Sequence, residues 1–370
     1  MRLSSALEIY RGRKVLVTGH TGFKGSWLSL WLASLGANVV GLSNAIPTEP
    51  SLFKTIDIDL KDDRRSDIRD LSTTRSIVDQ TRPEIIFHLA AQPIVRTALT
   101  DPFNTIGVNV MGVAAILEAA RSVPGVRGVV IVTSDKVYRD RPLPTAYRED
   151  DTLGGHEPYG SSKAAAEIIS EIYTHANFHA GAQSRNIPSV ITARAGNVIG
   201  GGDWAPYRLI PDTVNAILEQ RDIVLRYPHS TRPWQHVLEP LGGYLLLGQR
   251  ILAGLSAPRS VNFGPSDTPL PVMKLTEQFL SVWGSSNTKI VVEEDRSRVE
   301  AAMLAVDSSL AHETLGWHPT WNAERAVSET ARWYREWAAG SAMTDICLQQ
   351  IADYSLDAEQ RSAAHAIAAA

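Results

Sequence analysis

The chain has 370 residues, enough for two or three domains, with 44% apolar and 21% charged residues in the ordinary globular range. Its 36 basic against 40 acidic side chains exert no global pull toward nucleic acid or anionic membrane, so any phosphate-binding cations must be placed locally. The single cysteine, Cys347, excludes an intrachain disulfide, a Cys-based zinc site and a thiol redox pair. The N-terminus MRLSSALEIYRGRK is interrupted by charge before any apolar core, which argues against a secretory signal. No run of about 20 apolar residues stands out as a membrane span, so the expectation is a cytoplasmic protein with neither membrane nor nucleic acid as partner.

In chain order, Lys14–Gly19 reads as a buried strand, followed at once by a glycine-rich turn and an apolar helix over Phe23–Leu35. Trp27 and Trp31, four apart on that helix, are expected in the core, and Gly36 suits its C-terminus. Ala37–Ser43 is a second strand. Glu84–Ala90 and Gly128–Ser134 are continuous apolar runs of strand length, the pattern of strands covered on both faces. Pro102–Arg121 and Pro158–Phe178 carry helical periodicity, and Ser189–Arg194 is a further strand. Strands alternating with helices through short links mean a parallel sheet with right-handed crossovers: an α/β, Rossmann-type doubly wound fold.

Past residue 195 the pattern changes to a glycine-rich loop, GNVIGGGDW, a helix over Asp212–Gln220 and short strands among Pro and Trp. We read 1–195 as the dinucleotide-binding domain, with 239–265 (the Leu241–Leu255 helix and the Ser260–Phe263 strand) returning to it. Residues 196–238 and 266–345 form a smaller, discontinuous α+β substrate lobe, and 346–370 a peripheral helix or loose tail.

GHTGFKG sets Gly19, Gly22 and Gly25 at intervals of three between a strand and a helix. A helix N-terminus presents unpaired N–H groups to a pyrophosphate, and glycines let the backbone approach it. The acidic residue expected about 20 positions on, for the ribose hydroxyls, is missing; Ser43 and Asn44 stand there, and Ser43 is the candidate ribose contact. With no Arg or Lys between Lys24 and Lys54 to take a 2′-phosphate, NAD is favoured over NADP. Asp67 and Ile68, in DIRD, are assigned to the adenine edge.

Tyr159 and Lys163 form a Tyr-x-x-x-Lys pair on one helical face. A lysine cation about 6 Å away, at an effective dielectric of about 20, favours the phenolate by about 3 kcal/mol, roughly two pKa units. Ser134, ending the strand upstream, is placed to share the hydroxyl proton network.

The glycine turn, the strand ending in Ser134 and the Tyr159/Lys163 pair, in this order, resemble the extended short-chain dehydrogenase/reductase family over about residues 12–340. GHTGFKGSWL, HLAAQPIVR, NVMG, VTSDKVY, YGSSKAAAE, ARAGNVIGGGDW and RPWQHVLEP resemble most the branch that dehydrates nucleotide-linked sugars at C4–C6. Within it they look more like the group acting on CDP-glucose than those acting on dTDP-glucose or GDP-mannose.

The resemblance implies a nucleotide-diphosphate hexose as substrate and extends the NAD site to Thr21, Phe23, Lys24, Leu89, Ala90 and Ala91. It implies that Tyr159 takes the C4 hydroxyl proton during C4 oxidation, that water leaves across C5–C6, and that the hydrogen returns to C6. Asp135 matches the acid that protonates the departing oxygen. Lys136 stands where the dTDP-glucose enzymes carry a Glu base; a lysine serves only when neutral, which desolvation and the Lys163 charge would promote. Lys136 pairing with a carboxylate or with substrate is the other reading. Asn197, Arg208 and Arg232 match the diphosphate end, where guanidinium binds phosphate as a fork. Gln92 and Arg96 are assigned to the substrate side, with loop bracing as the alternative for Arg96. The role of Glu300 stays open, and Glu293–Arg298 reads as a solvated charge run.

His20, His88, His156, His236 and His318 lack ligand spacing, so no metal is expected. The family also implies a homodimer, or a tetramer, paired through Pro102–Arg121 and Pro158–Phe178 as a four-helix bundle. A nucleotide-sugar 4-epimerase shares the glycine turn, Ser134, Tyr159 and Lys163, but has no use for the Asp135–Lys136 acid–base pair. A catalytically silent NAD-binding scaffold is the third reading, opposed by the intact Ser134/Tyr159/Lys163 set.

Overall fold

The structure is a computed structural model and describes residues 3–141, 145–175, 187–284, 288–293 and 305–368. Six strands come first: β1 (Lys14–Thr18), β2 (Asn38–Ser43), β3 (Leu60–Arg65), β4 (Ile85–His88), β5 (Gly128–Val132) and β6 (Ser189–Ala195). Short ones follow, β7 (Val198–Ile199), β8 (Ile223–Leu225), β9 (Thr231–Arg232) and β10 (Gln235–His236), then β11 (Ser260–Phe263), β12 (Leu270–Pro271) and β13 (Ile290–Val292). Among the described residues β1–β6 and β11 make one parallel sheet, ordered β11–β6–β5–β4–β1–β2–β3. Strand order reverses beside β1, and in such sheets ligands bind beyond the carboxyl ends at that switch point.

The two-residue period of the strands sorts side chains to two cores. Val15, Val17, Ile85, Phe87 and Val130 join the cluster containing the helices Phe23–Ser34 and Leu238–Ala253. Leu16, Ile86, Val129 and Ile131 join that of the helices Leu71–Thr81 and Gly112–Ser122. Trp27 and Trp31 are buried in the first.

β3, of sequence LKDDRR, has no apolar signature, and the sequence reading passes over it. It is an edge strand whose charges pair with each other, Asp62 with Arg64 and Asp63 with Arg65, both at 2.6 Å. Charge along an edge suits a strand that must not recruit another.

The helix bearing Tyr159 and Lys163 runs Pro158–Ile172, short of Phe178, which lies outside the described residues. Glu157 caps it, accepting from the backbone N–H groups of Tyr159 and Gly160, both at 2.7 Å, and Pro158 fills its first turn. Glu167 anchors its middle. The carboxylate accepts both arms of Arg194 on β6 at 2.9 Å and the hydroxyls of Thr133 and Thr192 at 2.5 Å. Arg194 also reaches the Tyr138 hydroxyl at 2.8 Å, which donates to Asn262 on β11. One buried ion pair thus ties this helix to the end of β5, to β6 and to β11.

Pro102–Ser122 is one continuous helical run with a π-helical turn at Gly107–Met111. At 21 residues and mean hydropathy 1.4 it is, contrary to the sequence reading, long and apolar enough to cross a membrane by length and composition. Half of it is buried inside the protein. Beyond residue 195, β7 pairs with β10, β9 with β12 and β8 with β13, and the helix expected at Asp212–Gln220 spans Leu209–Leu218. The C-terminal segment forms a helix over Met343–Ala368 that buries Cys347, Ile351 and Tyr354. The Tyr354 hydroxyl donates to the buried Glu239 carboxylate at 3.0 Å, which also accepts from the Thr320 and Trp321 N–H groups.

Glu167→Ala strands the Arg194 charge in the core. Removing one partner of a buried pair costs about 3–5 kcal/mol, so urea unfolding followed by circular dichroism is expected to show a loss of that size.

Candidate active site

The glycine turn is built from β1, β2 and the end of β4. Gly19 has φ +74° and donates to Leu42 O at 2.7 Å; a Cβ there would come within 2.7 Å of Ala90 N. Only glycine meets both demands. A Cβ on Gly25 would stand 2.0 Å from Gly19 O, so the third glycine lets the helix sit down on the turn. Gly22 is the N-cap of Phe23–Ser34, and no side chain caps that helix, which leaves its first N–H groups directed at an incoming anion. Leu89 N donates to Thr18 O and Ala90 N to the Thr18 hydroxyl, holding the Leu89–Ala91 segment against the turn. Thr21 is buried with its hydroxyl on Ala45 O at 2.7 Å, and Phe23 packs toward Gly200. These residues fit a dinucleotide: an uncapped helix N-terminus, a turn without side-chain obstruction and an open carboxyl edge.

Residues of three assignments are engaged within the protein itself. The Ser43 hydroxyl is buried and engaged by His20 Nδ1 at 3.0 Å and Thr21 N at 3.4 Å, so it braces the turn rather than reaching a ribose. His20 completes this brace through Nε2 to Asp63 at 2.9 Å, and its imidazole is held below its usual range chiefly by burial. Asp67 is gripped by Arg69, whose guanidinium holds the carboxyl below the usual range, and Ile68 points into the core against Gly112. Gln92 spends its amide on the protein, Nε2 to the Thr105 hydroxyl at 2.8 Å and Oε1 from Ile94 N at 2.6 Å. Asn109 in the π-helical turn binds the Gln92 backbone both ways and reaches Ser162 on the catalytic helix. Gln92 is a brace.

At the carboxyl end of β5 the chain turns at Ser134, which accepts from Lys136 N at 3.2 Å and starts a short 3-10 turn, Asp135–Val137. The strand therefore ends at Val132, two residues before the expected end. Ser134 donates to Asp135 Oδ1 at 3.0 Å. Burial pushes the Asp135 carboxyl up to about 6, opposed by the charges of Lys136, Lys24 and Arg232 and by the Ser134 hydroxyl. Gly196, after β6, makes room for it: a Cβ there would lie 2.5 Å from Asp135 Oδ2. Sequence reasoning missed this glycine.

Tyr159 is buried and its phenol pushed up to about 12 by burial, with the Ser134 hydrogen bond and Arg208 acting in the opposite direction. The expected lowering by Lys163 is not what the side chain meets. The Lys163 amine donates to Val132 O at 3.0 Å, and burial brings its own value down to about 8, against the pull of Glu167. By exposed area Lys136 and Lys24 are both half-buried. The strongly desolvated amines are Lys163 and Lys24, the latter brought to about 7 by burial and by the neighbouring Arg208 and Lys163 charges. Lys24 thus faces Lys163, Arg208 and Asp135 as well as belonging to the turn.

On the second-lobe side, Arg208 is held by the buried Asp203 at 2.8 Å, and its charge reaches Tyr159 and Lys24. Asp203 is fixed in turn by Tyr334, whose hydroxyl donates to its carbonyl. This anchor, in GGGDW, also escaped the sequence reading. Arg232 on β9 is near enough to act on Asp135. Asn197 lies in the β6–β7 loop, its carbonyl taken by Gln235 N at 3.1 Å. Arg96 is exposed and lies over the Tyr207 ring at 4.5 Å, beside Arg208. Ser134, Asp135, Tyr159, Lys163, Lys24, Arg208 and Arg232 are therefore brought together; Glu300 and most of Glu293–Arg298 lie outside the described residues.

Comparison with known proteins gives a consistent picture. Residues 15–264 match the model of the NAD dependent epimerase/dehydratase family. A CDP-glucose 4,6-dehydratase from Salmonella typhimurium is 39% identical over 94% of this chain and 97% of its own. Among solved structures, an epimerase from Methanothermobacter thermautotrophicus superposes with TM-score 0.77 at 25% identity, covering 91% of this chain and 96% of its own. A dTDP-glucose 4,6-dehydratase from Streptomyces venezuelae, solved with NAD bound, gives 0.72 at 24% identity, covering 88% and 98%.

The Ser134 hydroxyl stabilises the Asp135 carboxylate, so Ser134→Ala is expected to move that carboxyl further above about 6. A 13C carboxyl titration by NMR, assigned with Asp135→Asn, reads the shift directly.

Proposed function

The chain belongs to the NAD dependent epimerase/dehydratase family, and from that premise we propose that it converts CDP-glucose to CDP-4-keto-6-deoxyglucose and water. The observation that carries this reading is Asp135: a buried carboxyl raised to about 6, beside Ser134 and Tyr159 and next in chain to Lys136. A 4-epimerase has no step that needs such a proton donor.

Tyr159 takes the C4 hydroxyl proton. Its environment, costly for a phenolate as it stands, becomes permissive once positive charge is added to the cleft, since Arg208 already favours the ionised form. When bound, NAD supplies the acceptor for the C4 hydrogen and the donor that returns it at C6. The 4-keto group acidifies C5–H, Lys136 stands at the position matched to the base that removes that proton, and Asp135 gives its own proton to the departing C6 oxygen. Arg208, preset by Asp203, and Arg232 hold the diphosphate, with Asn197 beside them; Arg96, stacked on Tyr207, stands at the hexose side. The uncapped helix after Gly22 takes the cofactor pyrophosphate, and Lys24 adds a cation next to it.

We also infer a homodimer. Phe103, Ile106 and Met111, with Ile168 and Ile172 of the Tyr159 helix, are large apolar residues left exposed on the two helical segments, Phe103 at 88%. Such a patch on a pair of long helices suits self-association through a four-helix bundle. Phe103→Asp is expected to shift the sedimentation coefficient from dimer to monomer.

The direct test is incubation with NAD and, separately, CDP-, dTDP-, UDP- and GDP-glucose, followed by product mass. CDP-glucose is expected to lose one water; a new 4-epimer of unchanged mass would overturn the reading. Tyr159→Phe is expected to lower turnover by about 10²–10⁴-fold, and Asp135→Asn to slow water loss by about 10²-fold or more. A silent scaffold would lose nothing.

A further inference from the structure

The adenosine end of the cofactor site holds a feature that the sequence could not reveal. NAD-selective folds of this kind close the ribose pocket with an acid after the second strand, and an arginine nearby serves a 2′-phosphate instead. Here the acid is absent, with Ser43 and Asn44 in its place, and the Ser43 hydroxyl is spent on His20 and Thr21 N. The chain carries no arginine on the β2 side of this turn. One arrives from β3. Arg65 is paired in register with Ser43, across the parallel β2–β3 ladder.

Directly beyond β2 lies an open cavity of about 510 Å3, lined by Ala45, Ile46, Pro47, Thr48, Glu49, Lys54 and Arg65. Ala45 is fastened to the glycine turn through Thr21, so the cavity adjoins the turn that takes the pyrophosphate. Its lining carries the cations Lys54 and Arg65 and the carboxylate Glu49, with Asp63 beside Arg65 as a second carboxylate. Arg65 lies over the Phe53 ring at 5.3 Å and gives one edge to Asp63, which His20 also engages. This fixes the guanidinium plane while other donors of its fork stay available. Lys54 faces it from the end of the short helix Leu52–Thr55, paired with Glu49 on the loop. Both ion pairs are partly exposed, so exchanging Glu49 for a stronger anion costs little.

We propose that this cavity binds a phosphate on the 2′ carbon of the adenine ribose, so that the protein accepts NADP as well as NAD. The inference rests on the cofactor reading above. A phosphomonoester carries close to two negative charges at neutral pH and three acceptor oxygens. Arg65 takes two oxygens as a fork and Lys54 the third as a point charge.

The test is equilibrium binding of NAD, NADP and the fragment 2′,5′-ADP, read by protein fluorescence or calorimetry, on the wild type, Arg65→Ser, Lys54→Gln and Asn44→Asp. The wild type is expected to bind NADP within about tenfold of NAD, and 2′,5′-ADP at least about tenfold more tightly than 5′-AMP. Arg65→Ser is expected to lower NADP affinity about tenfold more than NAD affinity, with Lys54→Gln and the exposed Asn44→Asp moving the ratio the same way. NAD binding with NADP weaker by about a hundredfold or more, or variants that weaken both equally, would overturn the inference and leave the cofactor reading standing. Failure of both dinucleotides to bind would overturn the cofactor reading and this inference with it.

Discussion

At the carboxyl edge of the parallel sheet a carboxyl, a phenol and two amines are taken out of water together, and the cost of that desolvation organises the rest of the structure. Burial raises Asp135 to about 6 and Tyr159 to about 12, and lowers Lys163 to about 8 and Lys24 to about 7. The shifts of Asp135, Lys163 and Lys24 bring their proton exchange closer to neutrality, whereas that of Tyr159 holds the phenol neutral until positive charge enters the cleft. Isolated, these groups would be expensive to hold. They are held because opposite charges lie within reach: Glu167 behind Lys163, Asp203 behind Arg208, and Arg232, Lys136 and Lys24 around Asp135.

The fold provides the rigidity this needs. Glu167 and Arg194 lock the catalytic helix to the central strands through doubly bonded oxygens, so the Tyr159–Lys163 face cannot slide relative to Ser134. Asn109 does the same from the neighbouring helix, joining Gln92, Ser162 and the π-helical turn. π-Helical turns recur at functional sites because they re-aim one side chain inside an otherwise regular helix, and Asn109 is the one re-aimed here. Two arginines from the second lobe close the opposite wall, one of them preset by a buried acid.

Much of this was legible in the sequence. The apolar runs of β1, β4 and β5 announce strands covered on both faces; the glycine spacing, Ser134, Tyr159 and Lys163 are singled out by motif and by what such residues do chemically, and Asp135 by the family resemblance. What escaped has physical causes. β3 is charged throughout, because an edge strand needs no buried face, so neither periodicity nor composition marks it; without β3, Arg65 had no place beside Ser43. Ser43 and Gln92 looked available because a sequence does not show which hydrogen bonds are already taken. Lys24 was read only as part of the glycine turn, yet desolvation and the Arg208 and Lys163 charges act on its amine, an environment that residues far apart in the chain create. Gly196 and Asp203 act by space and by anchoring, which adjacent motifs do not encode.

The central claim is that one sugar is oxidised at C4, loses water across C5–C6 and recovers the same hydrogen at C6. CDP-glucose carrying deuterium at C4, turned over in ordinary water and read by NMR, tests it directly. The account predicts deuterium at C6 of a 4-keto product together with a solvent-derived proton at C5. Deuterium retained at C4 of an intact hexose would contradict it and point to epimerisation.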